Sequence, residues 1–535
     1  MNYAVGLDIG TTHIKACLTD QTGAILAVSE TDNRQEETEQ FGRCFRAEAL
    51  FEKAVFCIRN VIGQAGKIPE AIGITSMAES GVFLDRDGKA LLPVISWSEA
   101  GDACPLPPGL CGEEFYQRTG LLWHPKYTVS RILCLREKFP ELYGKIDSVL
   151  SVADYILYRL CGKKCTDESL ACRTGMYDIV RQSWWTRMTD FAGMTGKLPE
   201  VLRGDEGWPV LAEDAYELLG LRERGAGRSA EAKVFPESSV KTAETIERLC
   251  EKTAEVKVFP ESSSASSGGM ERFWKRTSEQ SGMAQEIRVR VCGHDHLCAA
   301  VGAGVQGSEV FHSMGTSEVY IGWLDGSGRN DAFYEKGIQQ GRFGGRRYWI
   351  CNMPSSGASV EWFRMLLSTD EKITYEALMA EKGQIPSPVS YLPFVNGTGT
   401  HRMQQGMQTG AVLGLKGNTG RGDILQGIYE GIAMESRYIL GQLAAVGIDT
   451  RQLIVVGGGS KNRWLMQAKA DVTGSTFLCC RTVQAAAAGA AALAGGFTVD
   501  GRELAYRAEA RAEYEAAYRE KYEKYRNLCR VLCGE

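Results

Sequence analysis

Two segments far apart in this chain repeat one pattern, and the repetition narrows the possible folds more than any other feature. Residues 3–10 form an apolar run ending in Asp8-Ile9-Gly10, Thr11 and Thr12 follow, and residues 13–20 (HIKACLTD) alternate in and out as a strand does. Gln21-Thr22-Gly23 then supplies a turn, and Ala24 to Val28 reads as a third strand. Later, Glu309 to Ser313 reads as a strand, Met314-Gly315-Thr316-Ser317 as a tight turn, and Val319 to Trp323 as the returning strand. Two such units predict an internally duplicated architecture. Leu50, Ala54, Val55, Ile58, Val61 and Ile62 recur at helical spacing between Ala47 and Gln64, and strands are expected at Ala71 to Thr75 and Val82 to Leu84. Each half is therefore expected to be mixed α/β. Near the end, the apolar strand Gln452 to Val456 runs into Gly457-Gly458-Gly459, and a helix is expected from Asn462 to Thr473.

A chain of 535 residues exceeds what one core can fill, so two large domains are expected. Its 61 basic and 66 acidic residues leave a formal charge of -5, which gives no general attraction to nucleic acid or to an anionic membrane. Any phosphate site must then be local. Seventeen cysteines are scattered behind an N-terminus without a basic-then-apolar leader, which reads as a cytoplasmic chain with reduced thiols. The uncharged run Thr482 to Val499 is mostly alanine interrupted by glycines, so a tightly packed buried helix is expected there and not a membrane span. Between about 222 and 285 the chain turns rich in Ser, Glu and Lys, and VFPESS occurs twice, at Val234 and Val258. That stretch reads as a surface insertion or a docking segment.

Three segments could carry phosphate chemistry. In Asp8-Ile9-Gly10-Thr11-Thr12 a glycine would let backbone N–H groups approach phosphate oxygens, two hydroxyls add donors, and Asp8 could hold Mg²⁺ through water, with Lys15 adding positive charge. Alone the segment is equally a plain hairpin turn. Gly315-Thr316-Ser317 repeats the chemistry. Gly458, Gly459 and Asn462, between a strand and a helix, would let backbone lie against an adenine or ribose. No Walker A sequence exists in the chain, and the one G-x-G-x-x-G match, Gly302 to Gly307, follows a helix-like run.

A fourth segment is Cys292-Gly293-His294-Asp295-His296, where Asp295 could accept the proton of a hydroxyl attacking a γ-phosphate. The rival reading is zinc: in a strand Cys292, His294, His296 and Cys298 would alternate onto one face.

Together these segments resemble the FGGY family of carbohydrate kinases. GLDIGTTHIK (6–15) is similar to the family's first phosphate motif, GHD (293–295) to its catalytic-aspartate motif, MGTS (314–317) to its second phosphate motif, and VVGGGSKNRWLMQAKAD (455–471) to its adenosine motif. The resemblance implies two ribonuclease-H-like domains of the actin and Hsp70 type flanking a cleft, with 1–304 holding the sugar and 305–535 the nucleotide. It also implies ATP and Mg²⁺ as cofactors, the latter near Asp8 and Asp295, and a small sugar or polyol as substrate. It leaves room for a homodimer.

Glu79 falls where glycerol kinases carry a glutamate that binds a substrate hydroxyl, and Trp97 resembles the family tryptophan lining the sugar pocket. The plainer alternatives are a solvated strand end for Glu79 and a core tryptophan for Trp97. Ser98 to Asp102, Gln484 and Asn396 to Thr400 depart from the family pattern, which points to an unusual sugar. The expected activity is transfer of the ATP γ-phosphate to a hydroxyl of a ketopentose such as xylulose or of a glycerol-like polyol. An actin- or Hsp70-like ATPase and a non-catalytic sugar- and nucleotide-binding regulator are the alternatives.

Overall fold

The computed structural model describes residues 2–99, 104–205, 207–221, 286–324, 332–368, 372–402, 409–481, 484–499 and 502–533. The expected insertion at 222–285, with both VFPESS copies, lies outside the described residues, as do Ala100 to Asp102. The chain forms two compact units. The first comprises Met1–Gly304, Gly341–Gly345 and Gln484–Asp500, and the second Val305–Gln340, Arg346–Val483 and Gly501–Glu535.

A five-stranded sheet forms the heart of the first unit, in the order Arg288–His294, Ala71–Ser76, Tyr3–Ile9, His13–Asp20, Ile25–Asp32. The last three strands are antiparallel neighbours and the first three run parallel. Parallel neighbours need cover on both faces, and this sequence supplies it in two forms. Helix Ala47–Ala65 buries Leu50, Ala54, Val55, Ile58, Val61 and Ile62, the positions its periodicity predicted. The opposite face is covered by the alanine-rich helix Ala485–Gly495, nearly every residue of which is buried.

Small residues on both sides let that helix approach unusually closely. A Cβ on Gly6 would run into Ala487 O, one on Gly73 into Ala490 O, and one on Gly489 into Cys298 O. The run 482–499 thus holds a packed helix, as its composition suggested. No described helix is long and apolar enough to cross a membrane.

The second unit repeats the plan. Its seven-stranded sheet runs Gln339–Phe343, Arg346–Met353, Glu318–Leu324, Val310–Met314, Gln452–Val456, Thr476–Cys480, Leu504–Ala508. Without the two edge strands, five remain whose order and directions match the first unit strand for strand. Both units are ribonuclease-H-like, and the duplication inferred from two turns holds for whole sheets. The third strand of the first unit is longer than expected, running to Asp32, because Asn33 extends the pairing by donating its backbone N–H to Thr12 O at 2.7 Å.

Candidate functional site

Each unit gathers its marked residues at one edge, for a topological reason. In the first unit Ile9 pairs with Ser76 and Ser76 with His294, so three parallel strands end side by side. Asp8 and Gly10, Glu79, and Asp295 lie at those three carboxyl ends, the edge at which open α/β sheets place their ligands.

The turn after the first strand is closed by Gly10 N–H donating to His13 O at 3.0 Å, and Asn33 Nδ2 donates to Gly10 O at 2.8 Å. Gly10's own N–H is therefore taken up by the hairpin. Thr11 Oγ1 accepts from Trp97 Nε1 at 2.9 Å, which ties the tryptophan to the turn. Trp97 is half-buried, with one side packed on the core. Thr12 is exposed, its hydroxyl 3.0 Å from His13 Nδ1. Lys15 faces Asp8 in register and lies 3.7 Å from Glu30.

Asp8 keeps its Oδ1 buried with no hydrogen-bond partner. Burial, then the Asp295 charge, pushes its carboxyl up to about 8, with Lys15 pulling the other way. Asp295 opens helix Asp295–Gly302 and accepts from His296 N–H at 2.7 Å. Burial, with the Glu79 charge adding to it, raises its carboxyl to about 7 against the pull of that hydrogen bond. Two acids forced toward neutrality, one with an orphaned oxygen, are an oxygen-donor set that suits a hard divalent cation.

Gly293 is what brings Asp295 to this edge. The strand bulges between Val291 and Gly293, and Gly293 adopts φ 106°, a conformation L side chains rarely take. A Cβ there would also meet Ser169 Oγ at 2.5 Å and Asp167 Oδ1 at 2.7 Å. Ser169 Oγ accepts from His294 N–H at 2.9 Å, and Thr75 Oγ1 donates to Gly293 O at 2.6 Å. Asp167 caps the short helix behind them, accepting from Ser169 N–H at 2.6 Å.

The reading of Cys292 to Cys298 as one alternating strand fails, because the strand ends at His294 and a helix begins. Cys292 Sγ turns to Ala490 O at 3.3 Å and Cys298 Sγ to Cys292 O at 3.2 Å, so neither thiol joins the histidines.

The solvated alternative for Glu79 fails as well. Its side chain is 8% exposed, its φ is 63°, and its carboxylate is gripped by Arg173, whose Nε donates at 2.9 Å, with Lys126 Nζ 3.6 Å away. Burial alone would raise this acid, but the two cations outweigh it and hold it well below the usual carboxylate range. In return, burial lowers Lys126 to about 8 despite Glu79, and lowers the nearby His124 to about 4. Sequence reasoning missed Lys126, Arg173, Asp167 and Ser169. Only Asp167 carried a signal, as an Asp just before a short helix.

In the second unit Ser313 pairs with Val456, so the turn at 314–317 and the glycine-rich turn at 457–459 leave adjacent parallel strands together. Gly315 N–H donates to Ser317 O at 2.9 Å, the counterpart of Gly10. Gly315 and Thr316 are exposed. Gly458 and Gly459 enter a short 3₁₀ turn, and Asn462 caps helix Arg463–Thr473, accepting from Leu465 N–H at 3.1 Å and donating to Tyr429 OH at 3.1 Å. Beneath the first turn, Glu318 is fully buried between Lys469 Nζ at 2.7 Å and His312 Nε2 at 3.0 Å.

Comparison with known proteins agrees with both halves of this geometry. The N-terminal domain model of the FGGY family of carbohydrate kinases matches residues 3–225, and the C-terminal domain model matches residues 313–496. The chain is 23% identical over 521 residues to a xylulose kinase from Bacillus subtilis, covering 92% of this chain and 88% of that one. It is 24% identical over 515 residues to a glycerol kinase from Thermococcus gammatolerans, with the same coverage. The crystal structure of a xylulose kinase from Rhodospirillum rubrum superposes with a TM-score of 0.74 at 18% identity, covering 99% of each chain. With two family domains matched in order and a duplicated ribonuclease-H-like fold, the chain belongs to the FGGY family of carbohydrate kinases, phosphotransferases that use ATP and an alcohol acceptor.

Proposed function

We propose that this kinase phosphorylates a hydroxyl of a ketopentose such as xylulose or of a glycerol-like polyol, with Asp295 as the base. The observation that carries the reading is the pair Asp8 and Asp295 at one sheet edge, both acids displaced upward and Asp8 holding an unpaired buried oxygen. Asp295 accepts the proton of the attacking hydroxyl, a role matched by a carboxyl group whose affinity for a proton lies near neutrality. Asp8 and Asp295 hold Mg²⁺, Asp8 through water. Bound there, the ion would neutralise charge on the phosphate oxygens.

Thr11, Thr12 and Lys15 in the first unit, and Gly315, Thr316 and Ser317 in the second, contact phosphates. Because Gly10 and Gly315 spend their own N–H groups on their turns, the N–H donors are the residues that follow them, and Gly315 contributes by letting the phosphate approach the bare backbone. Gly458, Gly459 and Asn462 bed the adenosine. The first unit takes the sugar: Glu79, fixed as an anion by Arg173 and Lys126, accepts from a substrate hydroxyl, and Trp97 offers its face to the sugar. In this reading residues 1–304 form the sugar-binding domain and 305–535 the nucleotide-binding one, in a cytoplasmic chain.

A coupled ADP-release screen across pentuloses, hexuloses and polyols tests the reading. ADP release that depends on one of these sugars is the expected result. ATP hydrolysis indifferent to every sugar, or nucleotide binding without turnover, would replace it with an ATPase or a regulator.

A further inference from the structure

Asp295 stands between two histidines whose ring nitrogens converge on it. His294 Nε2 lies 3.2 Å and His296 Nε2 4.0 Å from Asp295 Oδ1, and the two rings stand edge to face with centroids 5.2 Å apart. One ligand atom from each of the three residues fits within 4.8 Å of the others, and no other such trio occurs among the described residues. Ligands bound at metal–nitrogen and metal–oxygen distances of about 2.0–2.2 Å sit roughly 3.3 Å apart in a tetrahedral site, so the triangle is close to size already.

The convergence follows from the strand-to-helix change. His294 is the extended residue before the helix and Asp295 and His296 are its first two positions, which folds three consecutive side chains around one point. His294, 5% exposed, has a buried Nδ1 with no hydrogen-bond partner, an unsatisfied polar atom at this point of the fold. Two imidazoles and one carboxylate suit zinc-class metals, whereas Mg²⁺ takes oxygen ligands.

We propose that His294, Asp295 and His296 form a site for a divalent transition metal of the zinc class, and that its occupation inhibits the kinase. A coordinate bond from the Asp295 carboxylate, replacing any proton there, occupies the lone pair that would receive the hydroxyl proton. The metal then competes with the acceptor sugar and with the Mg²⁺ that Asp295 would help to hold, and not with ATP itself. The inhibitory consequence rests on Asp295 being the base, while the binding itself does not.

The test uses the full-length, metal-free protein titrated with Co²⁺ and followed by visible absorption, with Zn²⁺ as competitor. One equivalent should bind with nitrogen–oxygen ligand-field bands and no thiolate charge-transfer band. His296→Asn, whose side chain is only partly buried, should weaken binding at least tenfold, and His294→Asn should do the same if circular dichroism shows it folded. In the wild-type kinase assay Zn²⁺ should raise the apparent KM for sugar and leave the ATP Kd unchanged. Absence of stoichiometric binding, a thiolate band, or full affinity in His296→Asn would overturn the site. Saturation without a rise in KM would overturn the inhibition. Failure of every sugar to support turnover would count against the kinase reading and leave the Co²⁺ titration intact.

Discussion

Asp295, partly buried, and Asp154, fully buried, are both acids pushed toward neutrality, and they call for opposite experiments. Asp295→Asn keeps the shape and removes the proposed base, so kcat should fall by about 10²–10⁴-fold while the ATP Kd stays within about twofold, as measured by steady-state kinetics and calorimetry. Normal turnover would refute the assignment.

Asp154 sits at the first turn of helix Val152–Cys161 and lines a cavity of about 20 Å³ with Ser80, where Asp154 Oδ1 and Ser80 Oγ both lack partners. Burial pushes its carboxyl up to about 7, with Asp167 adding to the rise, against the hydrogen bond its Oδ2 accepts from Ser151 N–H. Its folded value lies above its unfolded one, so the native state holds the extra proton between about pH 4 and 7, and stability is lost as pH rises through that window. Asp154→Asn should remove that loss, making the variant more stable than wild type at pH 8 by on the order of 2–4 kcal/mol relative to the difference at pH 4. Urea midpoints at the two pH values read this directly.

The aspartates and glycines of the site were legible because each stands beside a strand end or a turn. Arg173 was not, since it reaches Glu79 from 94 residues away and nothing local marks a cation destined for burial.

Elements were legible where one face meets water or a period is clean. Helix Ala47–Ala65 showed its stripe because polar residues such as Glu48, Glu52, Lys53, Arg59 and Asn60 interrupt it at helical spacing, although Phe56 and Cys57 are buried as well. Helix Arg421–Ala445 shows none, since Leu425 to Ser436 are buried without a break and two of those residues are glutamates. Glu435 is satisfied by Arg402, His401 and Tyr525, and Glu430 by Lys521, Tyr518 and the backbone of Ser387. Such polar anchors cannot be read from hydropathy.

They also explain the last helix, Glu515–Cys533, whose Tyr518, Lys521 and Tyr525 recur at helical spacing to meet those glutamates. Lys521→Met would leave Glu430 buried without its cation and should cost about 3–5 kcal/mol in chemical denaturation. A loss below about 1 kcal/mol would mean Glu430 is held mainly by Tyr518 and Gln426. Close approach makes an independent demand. Gly489→Val would drive a side chain into the backbone of the helix that begins at Asp295, so it should lower both stability and kcat.

At the scale of the molecule, duplication gives each unit its own sheet edge, so the proposed division of function can be tested one unit at a time. Each carries one small-residue turn on the same first hairpin of the same sheet, yet their surroundings differ. The first unit adds a buried carboxylate held by two cations, and the second adds a glycine-rich turn on the adjacent strand. If the first unit serves the sugar and the second the nucleotide, single substitutions should split the kinetic constants. Glu79→Gln should raise the sugar KM at least tenfold and leave the ATP Kd unchanged, with some loss of stability because Arg173 remains buried without its anion. Thr316→Ala, at an exposed position of the second turn, should weaken ATP by roughly tenfold through one lost charge-assisted hydrogen bond and leave the sugar KM unchanged. The double variant should show both effects multiplied, since residues that share no partner act independently. If either substitution moved both constants to the same degree, the division of labour between the duplicated halves would be wrong even with Asp295 still the base.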